Sequence, residues 1–263
     1  RMISEIALAA IGQTFPIYFI IIALGIGLSI STTSIIANAI GANKISKASK
    51  IFCQSLGLAI FVGIIISIFG ISFGASILES INSDQETLHL SSDYMNIIYL
   101  GSTIILLLMV SNSCLAALGD TKSYRNVLIF SFFLNIILNP ILISGKIFNF
   151  QVIPALGITG IAIATILSQL IGLIYLLYKI SKTEIYKKFT REYLKPKLSL
   201  IIEILMQGVP ASIGLMMIAL GSYILLFFVG YYGNNAIAGF ASAGRYEQLL
   251  FLPLLGLSTA VTA

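Results

Sequence analysis

The sequence predicts an all-α, polytopic helical membrane protein. Hydrophobic residues make up 58% of its 263 residues, charged residues make up 10%, and most of the charge lies in short clusters between long apolar runs. An average soluble domain has about 25% charged residues. Apolar runs that alternate with short polar loops are typical of chains that cross a membrane repeatedly. Because the lysines then belong to loops at a membrane surface, the net charge of +5 does not indicate a nucleic-acid partner.

Seven apolar segments are long enough to be spanning helices. A helix rises 1.5 Å per residue, so about 20 residues cross a hydrocarbon core roughly 30 Å thick. The segments are approximately 7–40, 51–78, 94–118, 126–145, 156–178, 199–230 and 236–263. Glycine, serine, threonine and asparagine are scattered through them, and such residues allow helices to pack closely in lipid. We therefore expect one packed bundle and not a set of separate anchors.

The basic residues predict the orientation. Twelve of the fifteen follow the first, third and fifth segments: Lys44, Lys47, Lys50, Lys122, Arg125, Lys179, Lys182, Lys187, Lys188, Arg191, Lys195 and Lys197. The loop after the second segment is acidic and has no Lys or Arg. Lysine-rich loops are typically cytoplasmic, so the acidic loop is predicted to lie outside. Arg1 then also lies outside, and because no signal peptide is recognisable we expect a further span before this chain.

The polar connector 179–198, which contains Pro196, predicts a division of the chain into two groups of helices. We expect residues 1–198 to hold five spans of a first lobe and a cytoplasmic connector, and residues 199–263 to hold the first two helices of a second lobe. A weak repeat supports this, since a shift of 229 residues places Gly27-Leu28-Ser29 on Gly256-Leu257-Ser258. Repeats in the same orientation are typical of transporters built from two halves.

Two asparagines in the fourth segment are candidate ligands. Asn135 and Asn139 are four residues apart, so both amides lie on one helix face. Their carbonyl oxygens could bind a cation or a protonated carboxyl group, and Pro140 frees a backbone carbonyl one turn earlier. Hydrogen bonds that hold two helices together are an equally good interpretation.

Other polar residues lie at membrane depth. Asn112 in the third segment and Thr165 in the fifth are each explained more simply by packing, and Tyr94 by an aromatic belt at the interface. Arg245 and Glu247 lie well inside the seventh segment. A charge at the bilayer centre costs roughly 2.5–3.5 kcal/mol, so we expect both to face the bundle interior or a wet cavity.

Seven short motifs resemble, in their order along the chain, those of multidrug and toxic compound extrusion (MATE) transporters. They are 7–12 (ALAAIG), 41–43 (GAN, with Ala48), 118–122 (LGDTK), 135–143 (NIILNPILI), 157–165 (GITGIAIAT), 208–210 (GVP) and 245–258 (RYEQLLFLPLLGLS). The resemblance covers nearly the whole chain. It implies a twelve-helix exporter with two six-helix lobes, an N-lobe and a C-lobe, of which this chain holds spans two to eight.

The resemblance also assigns roles to residues. It places a cation site for H⁺ or Na⁺ on Tyr94, Asn135, Asn139 and Thr165, and it places Asn112 in the substrate cavity. We expect Arg245 and Glu247, the charges inside the seventh segment, to belong to the same cavity. Asn139 stands where many members have aspartate, which weakens any role for it as a proton carrier. Glu247 is then a candidate for a coupling carboxylate.

The expected function is therefore cation-coupled antiport that exports amphiphilic or cationic compounds across the cytoplasmic membrane. The alternatives are a lipid-linked oligosaccharide flippase of the same superfamily, which should have more basic residues in its cavity, and a seven-span receptor. An intramembrane enzyme is disfavoured because His89 is the one histidine and no HExxH motif or paired intramembrane aspartates occur. We expect no metal site, no cofactor other than the coupling ion, and a monomer for the full-length protein.

Overall fold

The computed structural model describes residues 5–81, 84–147, 150–151 and 154–262. The long helices are α1 (Glu5–Gly41), α2 (Ile45–Glu79), α3 (Gln85–Ala117), α4 (Lys122–Ser144), α5 (Ile158–Ser181), α7 (Leu198–Gly230) and α8 (Asn234–Thr262). The shorter elements are helix α6 (Glu184–Lys187), a 3₁₀ turn (Arg191–Leu194) and an antiparallel hairpin of β1 (Lys146–Ile147) and β2 (Phe150–Gln151). The prediction did not include this hairpin, which joins α4 to α5.

Six helices within the described ranges are long and apolar enough to cross a membrane: α1, α2, α3, α4, α5 and α7. This confirms the predicted all-α, polytopic membrane protein. The seventh predicted segment, 236–263, is also helical and forms α8, but α8 is not among these six. Its last residue, 263, lies outside the described residues.

Helix α3 begins nine residues before the predicted segment. Its first turns are polar, so the search for apolar runs did not include them. Asp84 precedes the helix, and its Oδ2 accepts hydrogen bonds from the Thr87 backbone N–H at 3.0 Å and from the Thr87 hydroxyl at 2.6 Å. Such a cap satisfies an N–H group that the helix itself cannot bond. The cap therefore starts α3 well before its apolar stretch.

Helix α3 is the centre of the bundle and packs against α1, α2 and α5. Glycines allow these close approaches. A Cβ atom at Gly63 of α2 would lie 2.6 Å from the Cα atom of Thr103, so the backbones of α2 and α3 nearly touch. Between the same helices, the Ser67 hydroxyl donates to the carbonyl oxygen of Tyr99 at 2.6 Å.

Helix α7 packs along α1 through four small residues. Gly27 and Ser31 on α1 face Gly208 and Ser212 on α7, and a Cβ atom at Gly27 would lie 2.5 Å from the carbonyl oxygen of Gly208. Small residues four apart on both helices bring two backbones together where lipid provides no hydrophobic drive. This contact joins the predicted second group of helices to the first.

The connector after α5 is docked on the end of α2 that follows Lys44. This end carries the lysines predicted to be cytoplasmic, and we refer to it as the cytoplasmic end. The Gln54 amide of α2 donates to the carbonyl oxygens of Tyr193 at 2.6 Å and Lys195 at 2.9 Å, and its carbonyl oxygen accepts from the Lys197 backbone N–H at 2.8 Å. Ile185 of α6 is buried in the main hydrophobic cluster. The segment predicted as a linker is thus held by specific contacts, and the predicted division of the chain near residue 198 stays a prediction.

At the opposite end of the bundle, the turn between α2 and α3 contacts α7 and α8. This end carries the acidic loop predicted to lie outside, and we refer to it as the outer end. The Ser80 hydroxyl and the Tyr223 hydroxyl are hydrogen-bonded at 2.6 Å, and the Asn234 amide donates to Asp84 Oδ2 at 3.2 Å. Ile81 is buried beside Leu226. The outer ends of the two groups of helices are therefore in contact.

Candidate functional site

Asn135 joins α4 to α5. Its amide nitrogen donates to the carbonyl oxygen of Ser131, one turn earlier, and to the hydroxyl oxygen of Ser168 on α5, both at 2.9 Å. An asparagine amide has two N–H donors, so both are used. The carbonyl oxygen of Asn135 is then the group that can serve a ligand.

Asn139 lies one turn further along the same face of α4. Its Oδ1 atom is buried and has no hydrogen-bond partner among the residues that the structure describes. Leaving a buried acceptor unbonded costs roughly 1–3 kcal/mol. Pro140 follows in the helix and has no N–H group, so the carbonyl oxygen of Ile136 lacks its usual helical donor. The outer half of α4 therefore has oxygen atoms that accept no hydrogen bond from within the helix.

Thr165 on α5 is linked to this group through Ser168. The Ser168 hydroxyl donates to the Thr165 carbonyl oxygen at 2.8 Å while it accepts from Asn135, and the Thr165 hydroxyl donates to the Ile161 carbonyl oxygen at 3.0 Å. The sequence reasoning missed Ser168, which is buried. Its position three residues after Thr165 could have indicated it, because residues three apart on a helix lie on one face.

Tyr94 lies nearer the outer end of the bundle than Asn135 does. It packs beside Ala10 of α1 and Ile158, the first residue of α5. Asn135 is bonded to Ser168, ten residues further along α5, which corresponds to about 15 Å along the helix. Tyr94 is half-buried and interacts electrostatically with Tyr18 on α1 and with Arg245 on α8. The structure therefore does not bring Tyr94 together with Asn135, and its role at a cation site stays a prediction.

Asn112 lies far from these residues. It follows Tyr94 by eighteen positions on α3, which corresponds to about 27 Å along the helix. It is half-buried and close to the cytoplasmic end. The structure therefore does not bring Asn112 together with the predicted cation site, and its role in a substrate cavity stays a prediction.

Arg245 and Glu247 have exposed side chains on α8, which packs against α1 and α7. They are two positions apart and therefore lie on different faces of the helix. Exposure agrees with the wet cavity that was one of the two predicted surroundings. Their role in a substrate cavity stays a prediction.

All the oxygen atoms at the predicted cation site belong to neutral groups. Across the part of the chain that the structure describes, no group of three or more His, Cys, Asp or Glu side chains could hold a metal ion. Amide, hydroxyl and backbone oxygens are the ligands that hard cations accept. The α4–α5 arrangement can therefore bind a cation through oxygen dipoles or accept a hydrogen bond from a protonated acid.

Comparison with known proteins decides the family. The profile of the MatE family matches residues 1–141, which is more than half of the chain and includes α1, α2, α3 and most of α4. The chain belongs to the MatE family. The predicted resemblance to MATE transporters is thereby confirmed. The matched residues include Tyr94, Asn112, Asn135 and Asn139.

Known MatE relatives align over almost all of this chain. It is 29% identical over 265 residues to a probable multidrug resistance protein, YoeA, of Bacillus subtilis, covering 100% of this chain and 56% of that protein. It is 30% identical over 261 residues to a protein named FAD transporter of Shewanella oneidensis, covering 97% of this chain and 56% of the relative. The MatE chain therefore spans slightly more than half the length of these relatives.

Solved structures show the same fold. An inward-facing multidrug resistance MATE family transporter of the MOP superfamily superposes with a TM-score of 0.87 at 29% identity, over 98% of this chain and 57% of that one. An outward-facing MATE family transporter superposes with a TM-score of 0.80 at 30% identity, over 96% and 55%. The helical packing of the MatE chain is thus that of a known class of membrane transporter, and a seven-span receptor is no longer a candidate.

Proposed function

We propose that the full-length protein exports amphiphilic or cationic compounds across the cytoplasmic membrane, in exchange for H⁺ or Na⁺ ions that enter. Membership of the MatE family and relatives named as multidrug resistance proteins support transport of such compounds. The structural observation that carries the proposal is the α4–α5 contact. There, Asn135 is bonded to Ser168 and the buried Asn139 Oδ1 has no hydrogen-bond partner among the described residues.

The chemistry of this contact is compatible with two modes of coupling, one to sodium ions and one to protons. Asparagine, serine and threonine do not titrate in the physiological range, so these side chains cannot themselves carry a proton. A sodium ion could bind directly to the carbonyl oxygens of Asn135 and Asn139. Coupling to protons would instead need a carboxylic acid. Glu247 on α8 is the candidate coupling carboxylate, and it would act at a distance from these oxygens, since α8 packs against α1 and α7 and α4 packs against α5. A twelve-helix, monomeric assembly is part of the same proposal.

Contacts at the outer end support transport by alternating access. The Ser80–Tyr223 and Asn234–Asp84 hydrogen bonds and the buried Ile81 join the α2–α3 turn to α7 and α8. The higher TM-score against the inward-facing transporter agrees with an arrangement closed on this side. In our proposal these contacts break when the transporter opens outward.

Transport by the full-length protein in proteoliposomes tests the proposal. Separate proton and sodium gradients would be imposed, and efflux of a fluorescent lipophilic cation would be followed. We expect one of the gradients to drive efflux, and Asn135→Ala to reduce it by roughly tenfold or more, which corresponds to about 1.4 kcal/mol. Asn96→Ala is the matched control, because Asn96 is exposed on α3 and outside the site. Equal efflux in both variants would reject the site.

Glu247→Gln separates the two modes of coupling. If protons are coupled through this carboxylate, the variant should lose efflux driven by a proton gradient. If sodium binds directly at Asn135 and Asn139, sodium-driven efflux should survive in Glu247→Gln and be lost in Asn135→Ala.

An organic anion is a second candidate substrate. It is favoured by the relative named FAD transporter, which is as similar to this chain as the multidrug resistance proteins are. Arg245, an exposed cation on α8 that acts electrostatically on Tyr94, could attract such a substrate. FAD efflux in the same proteoliposomes, lost in Arg245→Gln, would support this candidate. Absence of efflux for both compounds, with correctly inserted protein, would favour the oligosaccharide flippase.

A further inference from the structure

A groove runs between α4 and α5 on the outside of the bundle, near their cytoplasmic ends. Its volume is about 290 Å³. It is lined by Asn126, Val127 and Phe130 of α4 and by Ile171, Gly172 and Tyr175 of α5. Most of this lining is apolar. The groove lies at the end of α4 opposite to Asn139, so it is separate from the proposed transport site.

The packing of the two helices explains the shape of the groove. Val127 is buried against Gly172, and a Cβ atom at Gly172 would lie 2.5 Å from Val127 Cγ1. This contact forms the floor of the groove. Phe130 and Ile171 are both exposed and form its apolar walls. Helix α4 packs mainly against α5, so nothing among the described residues covers the opening.

Two cations contact residues that line the groove at its cytoplasmic end. The Arg125 guanidinium donates to the side-chain oxygen of Asn126 at 3.2 Å, and the Lys179 ammonium lies 5.7 Å from the ring centre of Tyr175. Lys122 and Lys182 are at the same ends of α4 and α5. The neighbouring carboxylate, Asp120, interacts electrostatically with Lys179, and its oxygens already accept two hydrogen bonds from Ser123. The rim therefore carries Arg125 and Lys179, and the adjoining helix ends add two further cations and one carboxylate.

We propose that this groove binds an anionic phospholipid of the cytoplasmic leaflet. One acyl chain lies between Phe130 and Ile171 above Val127, and the phosphate is held by Arg125 and Lys179. Basic residues beside a crevice between spanning helices on the cytoplasmic side are the arrangement that recognises anionic headgroups. This proposal is independent of what the protein transports.

Size and charge together favour a lipid over other occupants. The volume is at the lower limit of small-molecule sites, roughly 300–1,000 Å³, which suits part of one acyl chain with the rest of the lipid in the bilayer. A neighbouring apolar helix would bury Phe130 and Ile171 but would give the rim cations no partner. A lipid with a negatively charged headgroup matches both the walls and the rim.

Binding of defined lipids to the full-length protein in detergent tests the proposal. Dioleoyl phosphatidylglycerol and dioleoyl phosphatidylcholine would be titrated, and bound lipid would be counted by native mass spectrometry. We expect phosphatidylglycerol to bind more tightly. A Lys or Arg near anionic lipid contributes about fivefold in affinity, so Arg125→Gln combined with Lys179→Gln should weaken its binding roughly 30-fold.

Lys188→Gln combined with Arg191→Gln is the matched control. It removes the same two charge types from exposed positions on the same side of the membrane, away from the groove. We expect it to change the affinity less than threefold or so, since screened charges at a distance contribute little. An equal loss in both double variants, or equally tight binding of phosphatidylcholine, would overturn the proposal.

Crosslinking locates the lipid. Phosphatidylglycerol with a photoreactive group in its acyl chain should label peptides that contain residues 126–130 and 171–175. Labelling confined to other helices, or a lack of labelling in the groove, would overturn the proposal.

Discussion

Helices α3 and α4 are both apolar and both long enough to cross a membrane, yet their positions in the bundle differ greatly. In the apolar stretch of α3, 61% of the residues are buried, against 6% in α4. Helix α3 is surrounded by α1, α2 and α5, whereas α4 packs mainly against α5. The centre of a helical bundle and its lipid-facing surface both select apolar residues. Hydropathy therefore identifies the two spans but does not distinguish the central one from the peripheral one.

Small residues distinguish the two helices where hydropathy does not. Helix α3 contains Gly101 and closely approaches Gly63 of α2, so it can be surrounded by other backbones. Helix α4 has no glycine of its own and relies on Gly160 and Gly172 of α5 for its close contacts. Its other faces carry large apolar side chains such as Phe132 and Phe133, which are exposed. Between α3 and α4, the helix with more small residues is therefore the one with more helices around it.

Shortening one leucine on each helix should give the largest difference between them. Leu106 of α3 is fully buried, and Leu128 of α4 is 51% exposed. Leu106→Ala leaves a cavity in the core and should lower the free energy of unfolding by about 2–5 kcal/mol. Leu128→Ala should change it by less than about 0.5 kcal/mol. Unfolding of the full-length protein in detergent measures both, and similar losses would show that α4 is covered as completely as α3.

Adding one methyl group at the contact between α2 and α3 should have the next largest effect. In Gly63→Ala the new Cβ meets the backbone of Thr103, which cannot move without separating the helices, so we expect a loss of about 1–3 kcal/mol. Gly57→Ala on the same helix is the control, since nothing lies within 4 Å of its Cβ position. Thermal unfolding compares the two variants. If Gly63→Ala is as stable as Gly57→Ala, the close contact between α2 and α3 is not a constraint.

Removing the hydrogen bond that attaches α4 to α5 should have a smaller effect on stability. Ser168→Ala deprives the Asn135 amide of its partner on α5, and a neutral hydrogen bond contributes roughly 0.5–1.5 kcal/mol. Because the same bond orients the proposed site, we expect transport to fall more than stability does. Thr159→Ala is the control, because the Thr159 hydroxyl bonds within its own helix turn, to the Leu156 carbonyl oxygen. Parallel measurement of unfolding and proteoliposome efflux separates the two effects.

Much of the fold and part of the site could be predicted from the sequence. The apolar segments and the charges of the loops are local properties, so all seven long helices and their order followed from them, and within the described residues six of the seven predicted spans are long and apolar enough to cross a membrane. A hydrogen bond from Asn135 to another helix was one of the two predicted interpretations, and its bond to α5 agrees with it. What the sequence could not supply was the partner itself, Ser168, since that depends on how two helices meet.

The differences from prediction arise where burial depends on distant parts of the chain. The prediction left open whether Arg245 and Glu247 face packed helices or a wet cavity. The answer depends on which helices cover α8, and no local pattern encodes this. Docking of the connector depends on Gln54, which lies more than a hundred residues earlier and is buried. The start of α3, in contrast, had a local signal, because Asp84 followed by Thr87 three residues later is a capping pattern.

Acid should destabilise the starts of both α3 and α4, and this effect should be smaller than those of the substitutions above. Hydrogen bonds from the side chain and backbone of Thr87, and then from Asn234, hold the pKa of Asp84 below its ordinary value. Those from the side chain and backbone of Ser123 do the same for Asp120 beside α4. A carboxyl group whose pKa is lower in the folded chain stabilises the fold above its unfolded pKa. That contribution is lost as the pH falls through the folded pKa.

Substitution of these two carboxyl groups by amides sharpens the comparison of α3 with α4. Each cap should contribute nothing to the pH dependence above about pH 5, and Asp84→Asn and Asp120→Asn should each flatten the acid limb of a stability–pH curve below about pH 4. Hydrogen exchange at the first turns locates the change. The first turn of α3 should fray while the surrounded helix stays protected, whereas fraying of α4 should extend further because fewer helices hold it. Equal protection of both helices at acid pH would mean that the number of packing partners does not limit how far fraying spreads.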